Sequence, residues 1–164
     1  MILPNAQIVE TEHRELRLDE ISNYPTLRSI YQLWAAKSPD LPSQLDPTEL
    51  PPAALPYVML LDVEHDPDEL RVRLAGTRVC ELHGGELRGH TTRSFFGAAD
   101  AQNVLDAARI LAETRQASLA HRRYVSLSDR IWTYTRLLLP LSSNGVDIDR
   151  FFKVVEPISF TSLR

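Results

Sequence analysis

Cysteine is nearly absent from this sequence: Cys80 is the only one. No intrachain disulfide can form, and a cysteine-rich zinc site cannot be assembled. An excess of positive charge is missing too. The formal net charge is −4, whereas nucleic-acid-binding surfaces ordinarily show a strong basic balance, so nucleic acid is not an expected partner. No stretch approaches the roughly 18 apolar residues that a membrane span requires, and no membrane insertion is expected. Met1-Ile2-Leu3-Pro4-Asn5 lacks the basic region and apolar run of a secretory leader. Also missing are a Gly-x-Ser-x-Gly elbow, a phosphate-cradling glycine loop and closely paired histidines. Together these absences point to a soluble cytoplasmic domain that is not an enzyme. The chain has 164 residues, 43% apolar and 24% charged, which suits one domain with a sizeable core.

The pattern divides the chain into an N-terminal flank, residues 1–56, and a body, residues 57–164. In the flank, Ile8 to Asp19 is charged and weakly periodic, compatible with a strand or a loose helical turn. Thr26 to Lys37 predicts a helix, because Leu27, Ile30, Tyr31 and Trp34 recur at helical spacing and Pro25 suits a first turn. Ser38-Pro39-Asp40 ends it. A proline-rich strap follows, with Asp46 as N-cap and Pro47 as first residue of a short helical turn.

The body opens with an apolar run from Tyr57 to Val63, then a turn at His65-Asp66-Pro67-Asp68. Leu70 to Ala75 alternates strictly, so these two runs predict a hairpin. Glycines break the next segment into two short pieces, 78–82 and 91–96, which must pack on a sheet to be stable. Asp100 to Arg115 predicts the longest helix of the body. Three strands then follow: about Ser118 to Leu127, Ile131 to Leu141, and Phe151 to Phe160, with Asn144-Gly145 as a turn between the last two. Strands at both ends with helices between them define an α+β domain with an antiparallel sheet.

Arg71-Val72-Arg73-Leu74-Ala75-Gly76-Thr77, then Cys80-Glu81-Leu82-His83-Gly84, then Glu86-Leu87-Arg88-Gly89, resembles the opening of PAS domains. The resemblance is closest to a group of small, often free-standing bacterial PAS-like proteins. These carry an Arg-Leu-x-Gly-Thr strand end, preceded by an Asp-Pro strap like Asp46-Pro47 and a Leu-Pro segment like Leu55-Pro56. It covers about Trp34 to Ile158. It implies a five-stranded antiparallel sheet with small helices on one face enclosing a pocket, a sensory or regulatory role in signal transduction, and commonly a homodimer formed through an N-terminal helix. It does not name a ligand or cofactor.

Particular sites follow less directly. A flavin photosensor of this superfamily needs a cysteine in the segment His90 to Phe96, which has none, while Cys80 reads as a small buried apolar residue. A haem sensor takes its histidine from the long helix, which lacks one. His83, His90 and His121 stand isolated and give no metal site. His121, Asp129 and the serines form no catalytic constellation. On the strand 131–141, Trp132, Tyr134, Arg136 and Leu138 share one face. As a pocket lining, Trp132 and Tyr134 would stack a planar or acyl ligand and Arg136 would hold a carboxylate or phosphate. The alternative, slightly favoured by the pattern, makes this the outer face covered by the N-terminal helix. Arg73 either joins the ligand site or pairs with an acid on the flank. Arg122-Arg123 with Tyr124 reads as a solvated strand edge. The stripe Leu27, Ile30, Tyr31 and Trp34 packs on its own sheet or on a second subunit or partner. The resulting expectation is a non-catalytic sensor that binds a small molecule and signals to a separate partner protein, since the last predicted strand leaves no room for an output domain. The alternative is a ligand-free interaction adaptor of the same fold, its core filled by side chains such as Phe95, Phe96, Phe151 and Phe152.

Overall fold

The computed structural model describes residues 9–65, 68–125 and 130–162. Six strands make one antiparallel sheet: β1 (Val9–Leu16), β2 (Val58–Glu64), β3 (Glu69–Ala75), β4 (Ser118–Val125), β5 (Arg130–Leu141) and β6 (Arg150–Ser162). Their spatial order is β1-β4-β5-β6-β2-β3. Among the described residues four α-helices accompany them: α1 (Pro25–Ala35), α2 (Thr77–His83), α3 (Thr92–Phe95) and α4 (Ala98–Thr114). The α+β architecture matches the sequence expectation, with one strand more than the five that the resemblance implies. The extra strand is β1. Asp66-Pro67 of the expected turn, and Leu127 at the expected end of β4, lie outside the described residues.

Local signals explain several boundaries. Pro25 occupies the first turn of α1, where a missing N–H costs nothing. Asp46 caps the turn Pro47–Glu49 by accepting from the Thr48 amide at 2.9 Å and the Thr48 hydroxyl at 2.8 Å. Two of the short motif pieces meet in space. The Gly76 amide donates to the Val58 carbonyl at 2.8 Å, and a Cβ at Gly76 would lie 2.2 Å from the Pro56 carbonyl oxygen. Only glycine allows the end of β3 to pass so close to the Leu55-Pro56 backbone.

Both faces of the sheet are covered. On the outer face, Leu27, Ile30 and Trp34 of α1 pack with Leu119, Leu137, Leu139, Phe152 and Val154. Leu27 and Ile30 are fully buried, and the Trp34 indole N–H donates to the Pro140 carbonyl at 2.9 Å. Of the two readings of this stripe, packing on the chain's own sheet is the one that describes Leu27, Ile30 and Trp34, whose apolar area is covered by the chain's own strands. Tyr31 is half-buried beside Trp34, with ring centroids 5.8 Å apart. On the inner face, Trp132, Tyr134, Met59 and Val155 pack with Val79 and Leu82 of α2 and Ala101 of α4. Leu138 and Phe151 meet Leu105 and Ala108 of α4.

The sequence reading that slightly favoured Trp132, Tyr134, Arg136 and Leu138 as the outer, helix-α1 face is overturned. The opposite residues of β5, Leu137 and Leu139, meet α1, and in a strand alternate side chains must then turn to the other helices.

Candidate functional site

A cavity of about 70 Å³ lies between the inner sheet face and helices α2, α3 and α4. Cross-strand register builds its floor. β4 sets Arg122 opposite Tyr134 and Ala120 opposite Arg136. β6 sets Lys153 opposite Leu138, and β1 sets His13 opposite Arg122. Directly opposed residues on one face are near neighbours, so the floor gathers His13, Arg122, Tyr134, Arg136 and Lys153, all of which line the cavity. The Lys153 ammonium lies 5.8 Å from the centre of the Tyr134 ring. The helix side contributes His83, Phe95, Phe96 and Val104.

Among the described lining residues, Arg122, Arg136 and Lys153 bring positive charge to this floor. Arg122 and Arg136 are each only 3% exposed. Arg136 Nη2 donates to the Ser118 hydroxyl at 3.2 Å and reaches Glu15 Oε1 at 3.4 Å. The Ser118 hydroxyl donates to Glu15 Oε2 at 2.9 Å, and His13 Nε2 lies 3.0 Å from Glu15 Oε1. Burial acts to raise the Glu15 carboxyl. The hydrogen bond with His13, the Arg136 charge and the Ser118 hydroxyl outweigh it and hold the group below its ordinary range. His83 is pushed well below the usual histidine range, first by burial and then by the charges of Lys153 and Arg122. It is therefore a neutral imidazole, edge-on to Trp132 at 4.6 Å and to Phe95 at 5.1 Å between ring centroids.

Of the residues singled out in the sequence, Tyr134 and Arg136 reach the cavity together. Trp132 does not line it. It is buried in the adjoining core between His83 and Tyr134, and its indole N–H has no hydrogen-bond partner among the described residues. Arg73 is elsewhere: it is exposed on β3 and donates to both oxygens of Asp62, at 3.0 and 2.9 Å. Its acid is thus on the neighbouring strand and not on the flank. Arg122 corrects the reading of a solvated edge: β1 pairs beyond β4, and alternation along β4 puts Arg122 on the inner face beside Tyr134, 3% exposed. Arg123 is exposed. His83 was legible only as an isolated histidine at a helix end before glycine. Lys153 and His13 carried no signal beyond their strand positions.

Cys80 is half-buried beside the inner core and does not line the cavity. Burial raises its thiol, which opposes reactivity. Ligand pockets for drug-sized molecules run to about 300–1,000 Å³. A flavin or haem therefore does not fit this cavity, and no step through such a group is derived. No group of histidine, cysteine and carboxylates that could hold a metal occurs among the described residues. His121 faces outward, 4.0 Å from Glu12, and Asp129 lies outside the described residues. No helix among the described residues is long and apolar enough to cross a membrane. Next to the cavity, a wider groove of about 740 Å³ runs between Tyr31 and Trp34 of α1 and Ile110 and Leu111 of α4, with Glu15 in its wall.

A family model described as a PAS domain matches residues 22–155. Among solved structures, the photo-excited blue-light photoreceptor Vivid is similar with a TM-score of 0.51 at 9% identity, over 81% of this chain and 95% of that chain. A variant of Vivid gives 0.52 at 9% identity, over 82% and 94%. A LOV protein from Rhodobacter sphaeroides gives 0.48 at 16% identity, over 81% and 68%. No curated protein matches the chain. At these identities the likeness to Vivid concerns the fold alone.

Proposed function

The chain belongs to the PAS-domain family, whose model spans residues 22–155, and from that premise we propose that it is a non-catalytic sensory domain that binds a small molecule and signals to a separate partner protein, with a homodimer as the signalling unit. The observation that carries this reading is the cavity beneath α2, α3 and α4. Its floor carries buried cationic and aromatic groups, and its walls are apolar. A few convergent polar groups in an apolar concavity are what a small-molecule site requires. A ligand there would act by binding one arrangement of helices and sheet better than another.

The small volume supports a second reading. Phe96 and Phe151 are buried in the inner core, which suits an adaptor of the same fold that binds a partner and no ligand. Native mass spectrometry of freshly purified protein, beside its denatured mass and an absorbance spectrum, separates the two. The sensor reading expects an added mass that is lost on denaturation, or a saturable small-molecule stabilisation of the bare protein. A bare mass that no small molecule stabilises moves the function to the adaptor. The same native spectrum reads the oligomeric state.

A further inference from the structure

We infer that the cavity takes a short-chain monocarboxylate, whose carboxylate exchanges with Glu15 for Arg136. This rests on the sensor reading above. Three cationic side chains on three different strands, Arg122, Arg136 and Lys153, converge on one cavity. One acidic group that bonds Arg136, Glu15, reaches in from edge strand β1 and is itself 56% exposed. A ligand carboxylate can therefore replace Glu15 at Arg136, keeping the buried guanidinium paired, while the half-exposed Glu15 carboxylate returns to water. Burial is the chief reason that His83 stays neutral, and the charges of Lys153 and Arg122 beside it act in the same direction.

Size and apolarity select among anions. About 70 Å³ corresponds to roughly five water-sized positions, close to the five non-hydrogen atoms of propionate. Met59, Leu61, Val72, Phe96 and Leu138 line the cavity as well. An inorganic oxyanion would leave that apolar wall without a partner, whereas a two- or three-carbon tail covers it. Exchange also gives the ligand an outward effect. Glu15 forms part of the wall of the groove between α1 and α4, so releasing it from Arg136 changes the charge arrangement on a surface outside the cavity.

The test is calorimetric titration of the full chain, in low-salt buffer, with propionate, propionamide, nitrate and inorganic phosphate. Propionate is expected to bind saturably at one site, and propionamide, its neutral isostere, at least about tenfold more weakly. Glu15→Gln removes the competing charge from an exposed position and should tighten propionate about fivefold. Lys153→Met, which keeps the aliphatic stem, should weaken it about tenfold. Equal binding of propionamide, or tighter binding of nitrate or phosphate, overturns the ligand class. An unchanged affinity in Glu15→Gln overturns the exchange. If every probe fails while the native mass spectrum carries another small molecule, this inference falls and the sensor reading stands. If every probe fails and the mass is bare, both fall.

Discussion

Burial keeps the His83 imidazole neutral in the folded protein, with Lys153 and Arg122 adding to the penalty on its charged form. In the unfolded chain the same ring takes up a proton near the ordinary value of 6.5. Between the depressed folded value and 6.5 the unfolded state therefore binds more protons than the folded one, and stability must fall as pH drops through that window. Above 6.5 the contribution is fully present. Thermal unfolding midpoints measured from pH 7.5 down to pH 5 should show this decline, and His83→Phe should flatten it. A decline of the same steepness in His83→Phe would assign it to other groups. The phenyl ring can retain the edge contacts with Trp132 and Phe95 while removing the titrating nitrogens.

At the scale of elements, α1 acts as the cover of the outer sheet face. Removing the buried branches of Leu27 or Ile30 leaves a cavity against Leu137 and Leu139, so Leu27→Ala or Ile30→Ala should each cost about 2–4 kcal/mol in urea unfolding. Neither should alter the oligomeric state in size-exclusion chromatography, because both side chains are inside one subunit. Dissociation of a dimer by Leu27→Ala would return the stripe to an interface role. The helix itself was legible, since Leu27, Ile30 and Trp34 repeat at helical spacing behind a proline. The strand 131–141 was legible as well, and its alternation correctly grouped Tyr134 with Arg136. Which group faces inward was not, because Leu137 and Leu139 are as apolar as Trp132 and Tyr134, and a sheet covered on both sides gives no polar face to read. β1 is not legible as a strand because Glu12, His13, Arg14 and Glu15 are charged or polar on both of its faces. That gap hid two parts of the candidate site. Without β1, β4 looks like an edge and Arg122 looks solvated, and nothing in the sequence brings Glu15 to Arg136.

For the whole molecule, flank and body share one sheet and one set of cores. β1 pairs with β4 from Val9 to Leu16 and lies before the span of the family model, residues 22–155. A chain lacking residues 1–16 should keep the other five strands but expose the β4 edge, an open row of amides and carbonyls that invites pairing between molecules. Light scattering is expected to show concentration-dependent association of that shortened chain, together with a lower melting midpoint. A monomer as stable as the full chain would make β1 dispensable. The pairing of first strand with fourth also sets an order in time. Ser118 and Glu15 are separated by 103 positions, and the partners of Leu27 and Ile30 include Phe152 and Val154. During synthesis, which runs from the N-terminus, the stripe on α1 stays uncovered until the last strand has emerged. Between the synthesis of α1 and that of β6 a nascent chain thus carries a bare greasy stripe, an interval in which premature contacts compete with the native one.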